Sequence, residues 1–584
     1  MKSGLFLSAA ALLHHTSVTA TPIAVDSTNN VTYQGLVRNS IEVFLGIHYG
    51  QDTGGTNRFK PPQPRAPKAG SVVDATAYGA ACPQLVVPGA GASLLSLTPV
   101  SKISEDCLNL NIARPSGVNA GAKLPVLVFI YGGGFSTGFN EEQSTAPDGM
   151  ILESVQNGLP IIHVAMNYRL AVFGFAASQA LLGEGSSNAG LRDQRLALEW
   201  VQDNIQHFGG DPNTVTIFGQ SSGGLAVGMQ IMAFGGAKPV PFRRAIPESQ
   251  FLEAGITGNF TRNAMQAVAD LVGCNTTDLQ SAKTVACLRG LDTETLNNAS
   301  VAVTAAQGDI SHNIGDIWLP AVDGDFLPAA PSTLIREGHF ANVAVLSGWT
   351  QDDVAIFTDP TIATAEETHN FLGSFLPDLS SANLKHLLSL YPVTEFTANP
   401  SANLSSEFYR TAAIFRDIVM VCMAMRYGEA IAAKGNDVYH YDWNQTILAP
   451  RIEAFNNVSG LGVIHTSEFA YVFGNLSHYD DGQAPFRPNP EDWALETRGT
   501  RSWSTFASLG RPGVVGKNTF QGFDVAFKFP ARGTDGPFIF VAGGPNEGFY
   551  AIDGPKSTAV VARQRLRERC GFLNSDEVIA QMKF

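Results

Sequence analysis

Charge is scarce in this sequence: 15% of its 584 residues are charged, and 38 Lys plus Arg face 52 Asp plus Glu for a net charge of −14. So acidic a chain lacks the basic surface that a phosphate backbone demands, which excludes nucleic acid as a partner. No polybasic run is present to hold it on an anionic bilayer. Beyond the first residues it also lacks any apolar run near the roughly 20 residues that a membrane span needs, so no stable membrane anchor is expected. H-E-x-x-H, C-x-x-C and Cys/His clusters are all missing, and neither a metal nor an organic cofactor is expected. Internal repeats and low-complexity linkers are absent, with 58 Gly and 32 Pro scattered along the chain. What is abundant is apolar surface, at 44% hydrophobic residues, enough for a large buried core.

Residues 1–20, MKSGLFLSAAALLHHTSVTA, read as a secretory signal peptide: Lys2, then the apolar run Leu5–Leu13, then small residues at Val18-Thr19-Ala20. The mature chain is therefore expected outside the cell. Eight Asn-x-Ser/Thr sequons agree with export, at Asn30, Asn259, Asn275, Asn298, Asn403, Asn444, Asn457 and Asn475. In an exported protein the six cysteines are expected to pair. Proximity along the chain favours Cys82–Cys107 and Cys274–Cys287, leaving Cys422–Cys570, although six cysteines admit about 15 connectivities.

Short β-branched runs alternate with helical stretches. Leu124–Tyr131, Pro160–Ala165, Thr214–Phe218 and Val343–Leu346 are continuous apolar runs, suited to strands buried on both faces of a parallel sheet, and Val438–Trp443 is a further strand. Between them, Leu191, Leu198, Val201, Ile205 and Phe208 recur mostly at helical spacing. Residues 355–435 read as largely helical, a cap region. The alternation predicts an α/β fold.

Gly219-Gln220-Ser221-Ser222-Gly223 is a G-x-S-x-G placed between an apolar strand and the apolar helix Leu225–Phe234. In that setting the serine stands on a sharp turn, and the helix N-terminus faces the charge developing on an attacked carbonyl. Gly134-Phe135-Ser136-Thr137-Gly138 also fits the pattern, but polar loop follows it and the elbow is incomplete. The preceding Tyr131-Gly132-Gly133-Gly134 instead suits a turn whose N–H groups hold an oxyanion.

Taken with Arg58-Phe59, Glu105-Asp106-Cys107-Leu108, Asn167-Tyr168-Arg169, Asp193-Gln194-Arg195, Pro320–Asp325, Gly462-Val463-Ile464-His465 and Cys570-Gly571-Phe572, these motifs make the chain resemble the type-B carboxylesterase/lipase family, which includes cholinesterases and secreted fungal esterases and lipases. The resemblance implies the α/β-hydrolase fold: a central, mostly parallel sheet flanked by helices, with large insertions. It implies Ser221 as nucleophile, His465 as general base and acid, and Asp353 as the acid, with the Gly133, Gly134 and Ser222 amides as oxyanion hole. Asp353 stands where the family usually has Glu, and neighbouring Asp352 remains a rival. Arg58 with Glu105, and Arg169 with Asp193, are the implied scaffold ion pairs.

Two departures bear on function. Gln220 replaces a frequent Glu before the nucleophile, removing a negative charge near the histidine. Pro83–Asp106 contains no aromatic residue to bind a quaternary ammonium, which argues against a cholinesterase. The reading is a serine carboxylesterase for soluble or short-chain esters. The alternatives are a lipase or sterol esterase, and a non-catalytic adhesion protein. Its partner is a small ester or lipid, and a homodimer is compatible with the sequence. Length alone suggests roughly four domains, but catalytic residues so far apart in sequence must meet, so residues 21–584 are read as one domain.

Overall fold

The computed structural model describes residues 21–86, 95–275, 280–307, 316–527 and 537–584, so the segment read as a signal peptide lies outside the described residues. Its strands in chain order are Ile23–Asp26 (β1), Val31–Gln34 (β2), Leu36–Arg38 (β3), Ile41–His48 (β4), Val72–Asp74 (β5), Asn109–Pro115 (β6), Leu124–Ile130 (β7), Ile162–Met166 (β8), Gly210–Gln220 (β9), Arg244–Glu248 (β10), Ala344–Thr350 (β11), Val438–Trp443 (β12), Phe538–Ala542 (β13) and Gly548–Ala551 (β14). β1, β2 and β5 form a small sheet of their own. The other strands make one sheet in the order β14-β13-β12-β11-β10-β9-β7-β8-β6-β4-β3. From β8 through β13 every neighbouring pair is parallel, and antiparallel strands flank that run on both edges.

This is the α/β-hydrolase architecture, and the reason lies in the apolar runs. β8 and β12 are buried at every residue, as strands covered by helices on both faces must be. On one face Phe129, Phe218 and Phe473 meet with ring centres 4.7 to 5.5 Å apart. The helix Ala189–Asn204 turns Leu191, Leu198 and Val201 inward and ends in a 3-10 turn, Ile205–Phe208. β9 begins earlier than its apolar stretch because Gly210 pairs with Leu124 across an irregularity in register. The region after β11 is helical, with Ala365–Phe375, Ser381–Ser389, Ser406–Arg416 and Cys422–Ala433.

Disulfides join Cys82 to Cys107, Cys274 to Cys287 and Cys422 to Cys570. Two buried ion pairs brace the catalytic end. Arg58 spans both oxygens of Glu105, and Arg169 reaches Asp193 through Nε, Nη2 and its own backbone N–H. Among the sequons, Asn475 is a correction. Its amide is fully buried and donates to the carbonyls of Gln143, Ser144 and Ala146, leaving no room for a glycan. Asn30, Asn259, Asn275, Asn298, Asn403 and Asn457 are exposed, and Asn444 is half-buried.

Asp193 and Arg169 are both at most 1% exposed, so removing one strands the other as an uncompensated buried charge. Asp193→Ala is expected to cost about 3–5 kcal/mol of folding free energy, read as a clear fall in thermal midpoint; an unchanged midpoint would contradict this.

Candidate active site

All the candidate catalytic groups follow C-terminal ends of parallel strands in the middle of one sheet, the edge where open α/β sheets bind ligands. The glycine turn follows β7, Ser221 follows β9, Asp353 follows β11, and His465 lies in the long connection after β12.

β9 ends at Gln220 and a helix begins at Ser222, so Ser221 alone makes the turn. Its backbone sits at φ 60°, ψ −137°, a conformation costing about 1–3 kcal/mol for a residue with a side chain. The neighbourhood enforces it. Ser221 N–H donates to Glu248 O at 3.0 Å, and Leu225 N–H returns to Ser221 O at 3.0 Å. Gly223 must be glycine, because a methyl there would overlap the carbonyl of Ile130 on β7.

The glycine turn is locked against the same helix. Phe135 N–H donates to Ser222 Oγ at 3.1 Å, and Gly133 O accepts from the N–H groups of Ser136 and Thr137. Gly133 and Gly134 hold φ of 101° and 60°, and both line one cavity with Ser221 and His465. Ser136, the serine of the incomplete second motif, sits in turn structure with no helix directly after it.

The structure brings His465 and Asp353 together. His465 Nδ1 lies 2.5 Å from Asp353 Oδ1, and His465 N–H donates to Asp353 O at 2.9 Å. Asp353 is fully buried, and its second oxygen accepts from Thr350 N–H at 2.8 Å. Asp352 points elsewhere: Oδ2 accepts from Val463 N–H at 3.0 Å, fastening the loop that carries the histidine. Burial raises the Asp352 carboxyl above its ordinary value, against the Val463 hydrogen bond and the charges of Arg416 and Arg563. Phe357 packs edge-on against the imidazole at 5.3 Å.

With the Nδ1 proton held by Asp353, Nε2 of the neutral ring is an acceptor. Gln220 Nε2 lies 3.1 Å from it and donates. An ionised glutamate in this place would only accept, so the amide supplies a donor that a carboxylate lacks.

A further layer is invisible to motif reading. Glu248, ending β10, accepts from Trp503 Nε1 at 2.5 Å, and Glu468, in the turn after His465, accepts from Ser249 Oγ at 3.4 Å. Both are fully buried, and burial beside a like charge drives both carboxyls upward, Glu468 to about 8. Only the three-dimensional approach of β10 to the histidine loop reveals this pair.

The cavity above Ser221 encloses about 500 Å³. Both described limbs of the Cys82–Cys107 loop form part of its wall. Gln84 exchanges two hydrogen bonds with the Gly138 backbone, each 2.9 Å. Glu142 accepts from Ser96 Oγ, Leu97 N–H and Thr98 N–H at 2.5, 2.7 and 3.3 Å. The middle of that loop lies outside the described residues. Among the described residues, no group of three or more His, Cys, Asp or Glu is placed to hold a metal ion.

The sequence profile described as the carboxylesterase family matches residues 28–528. The chain is 52% identical over 565 residues to a secreted lipase of Arthroderma benhamiae, covering 97% of this chain and 96% of that protein. It is 37% identical over 511 residues to an inactive carboxylesterase-like protein, VdtD, of Byssochlamys spectabilis, covering 84% of each. In fold it is similar to the crystal structure of Aspergillus niger EstA, with a TM-score of 0.76, 24% identity, and coverage of 97% of this chain and 99% of that one.

Exchanging the two aspartates separates their roles. Asp353→Asn is expected to lower kcat by roughly 10³- to 10⁴-fold, whereas Asp352→Asn should lower kcat less than about tenfold and act mainly on thermal stability. Equal kcat losses would contradict the assignment of Asp353.

Proposed function

The chain belongs to the carboxylesterase family and is a carboxylic ester hydrolase; from that premise we propose that Ser221, His465 and Asp353 carry the hydrolysis as nucleophile, general base and orienting acid. The observation that supports this most directly is the hydrogen-bonded pair His465–Asp353 beside the strained turn at Ser221. We read residues 21–584 as one catalytic domain, because its parts come from strands spread along one sheet.

In the proposed reaction, His465 Nε2 exchanges the Gln220 amide for the Ser221 hydroxyl and takes its proton as Oγ attacks the ester carbonyl. The oxygen becomes an oxyanion, held by the N–H groups of Gly133, Gly134 and Ser222 and by the N-terminus of the helix Ser222–Met232. Losing one such donor typically costs about 2.7–4 kcal/mol of transition-state stabilisation. The imidazolium, steadied by Asp353, gives its proton to the departing alcohol. A water then gives a proton to His465 and attacks the acyl-enzyme, and His465 returns that proton to Ser221 Oγ as the acid departs.

The substrate reading is a soluble or short-chain ester. Both described limbs of the disulfide-closed loop are hydrogen-bonded into the cavity wall, which suits a fixed wall better than a lid that opens on lipid. A second reading, a lipase acting on long-chain esters, is favoured by the 52% identity to the Arthroderma benhamiae protein named a secreted lipase. The protein is secreted, in keeping with such relatives and with its three disulfides. The inactive relative raises a non-catalytic alternative, against which stands the presence here of Ser221, His465 and Asp353 together.

Ser221→Ala should reduce kcat by roughly 10⁶-fold with the thermal midpoint maintained; retained activity would refute the nucleophile. Hydrolysis of butanoate and dodecanoate esters across their solubility limits separates the two substrate readings. The expected result is higher kcat/KM for butanoate and no rise in rate when an interface forms. A sharp rise with the interface would establish the lipase reading.

A further inference from the structure

Near their C-terminal ends the parallel strands carry a row of polar residues. In register, Gln220 on β9 pairs with Glu248 on β10, Glu248 with Gly348 on β11, and Gly348 with Tyr441 on β12. Residues paired across neighbouring parallel strands share a face, so Gln220, Glu248 and Tyr441 stand on one side of the sheet. Gly348 puts no side chain between the last two, and a methyl there would overlap the Tyr441 ring. Trp503 lies on the same side, donating from Nε1 to Glu248 Oε1 at 2.5 Å with its ring 5.3 Å from that of Tyr441. The row faces the histidine loop: Gln220 donates to His465, and the charge of Glu468 reaches Glu248 and Tyr441 alike.

Three buried oxygens in this row and loop have no hydrogen-bond partner among the described residues: Glu248 Oε2, Glu468 Oε2 and the Tyr441 hydroxyl. Buried polar atoms are as a rule paired, and two carboxyl groups pair directly when one keeps its proton and donates it to the other. The backbone joins the same two residues to the catalytic groups. Glu248 O accepts from Ser221 N–H at 3.0 Å, and Glu468 O accepts from the N–H groups of Tyr471 and Val472 in the turn that follows His465.

We propose that Glu248 is a positioning residue for the triad: its carboxyl and that of Glu468 are joined through a proton, and this acid pair ties the histidine loop to the strand that holds the nucleophile turn. This rests on the triad proposed above and names what braces it. Burial first, and then the charge of Asp353, pushes the Glu468 carboxyl up to about 8, and burial with the Glu468 charge raises Glu248. Besides His465, the ionisable groups around the pair are Asp353 after β11, Tyr441 on β12 and Tyr479 after the histidine loop; no lysine or arginine acts on either carboxyl. The pair therefore stays protonated through neutral pH. In alkali it becomes two buried carboxylates, which repel and loosen the loop. A carboxyl that binds its proton more tightly folded than unfolded also costs stability progressively as pH rises from the ordinary carboxylate range to its folded value.

The test follows kcat/KM for 4-nitrophenyl butanoate and the thermal midpoint, from mildly acid to alkaline pH, in wild type, Glu248→Gln and Glu248→Leu. Glutamine has a donor for Glu468 at every pH, and leucine has none. Wild type should lose roughly tenfold in kcat/KM above about pH 8. Glu248→Gln should hold its own value across that range, and Glu248→Leu should be impaired throughout; if the leucine variant does not fold, the glutamine variant alone decides. The midpoint of Glu248→Gln should gain on that of wild type as pH rises. An alkaline fall missing from wild type or unchanged in Glu248→Gln would overturn the assignment while leaving the hydrolase intact, and so would a midpoint difference independent of pH. Wild type inert at every pH would overturn the triad reading, and the midpoints would then decide the acid pair.

Discussion

The backbone of Ser221 is the constraint on which the catalytic end of this molecule is built. A serine held at φ 60° between a strand and a helix is unfavourable locally, so it persists only where the surroundings allow nothing else. Those surroundings are the whole middle of the sheet: β10 accepts its N–H, β7 runs so close that Gly223 admits no side chain, and the helix Ser222–Met232 is buried along its entire length. The same packing that forces the turn brings the glycine loop after β7 beside it. The proposed nucleophile and oxyanion donors are thus consequences of one strand-to-helix junction, and the buried pairs Arg58–Glu105 and Arg169–Asp193 are the scaffold around it.

Much of this was legible in the sequence because the physical signals are local. Continuous apolar runs give buried parallel strands, and β12 spans the same residues as its apolar run, Val438–Trp443. The elbow could be told from its rival at Ser136 because only one has a helix behind it. The resemblance favoured Asp353 and left Asp352 a rival, since adjacent residues differ only in where a 3-10 turn points them. The structure gives one to the imidazole and the other to the loop backbone. Asn475 failed as a glycan site for a similar reason: its sequon is intact, but burial is a property of the fold.

What motif reading missed are polar groups brought together from distant strands. Glu248 and Glu468 meet behind the triad, and Asp316 meets Gly134 across the cavity wall. Burial suppresses the charge of each of these acids, and for Glu248 and Glu468 a neighbouring acid adds to it. Gln220 fits the same pattern, a neutral amide donating to the histidine where the family often has a carboxylate. Around the reacting centre Asp353 is fixed on the imidazole, while burial drives the carboxyls of Glu248, Glu468 and Asp316 upward. That arrangement limits the negative potential where the oxyanion must form.

The account stands on Ser221 being a nucleophile activated by its surroundings in the folded protein. Treatment of the native protein with a fluorophosphonate, followed by intact-mass and peptide analysis, reads this directly. The expected result is a single stoichiometric adduct on Ser221, lost on unfolding before treatment and strongly slowed in His465→Ala. Absence of an adduct from the folded protein, or an adduct on Ser136 instead, would contradict it.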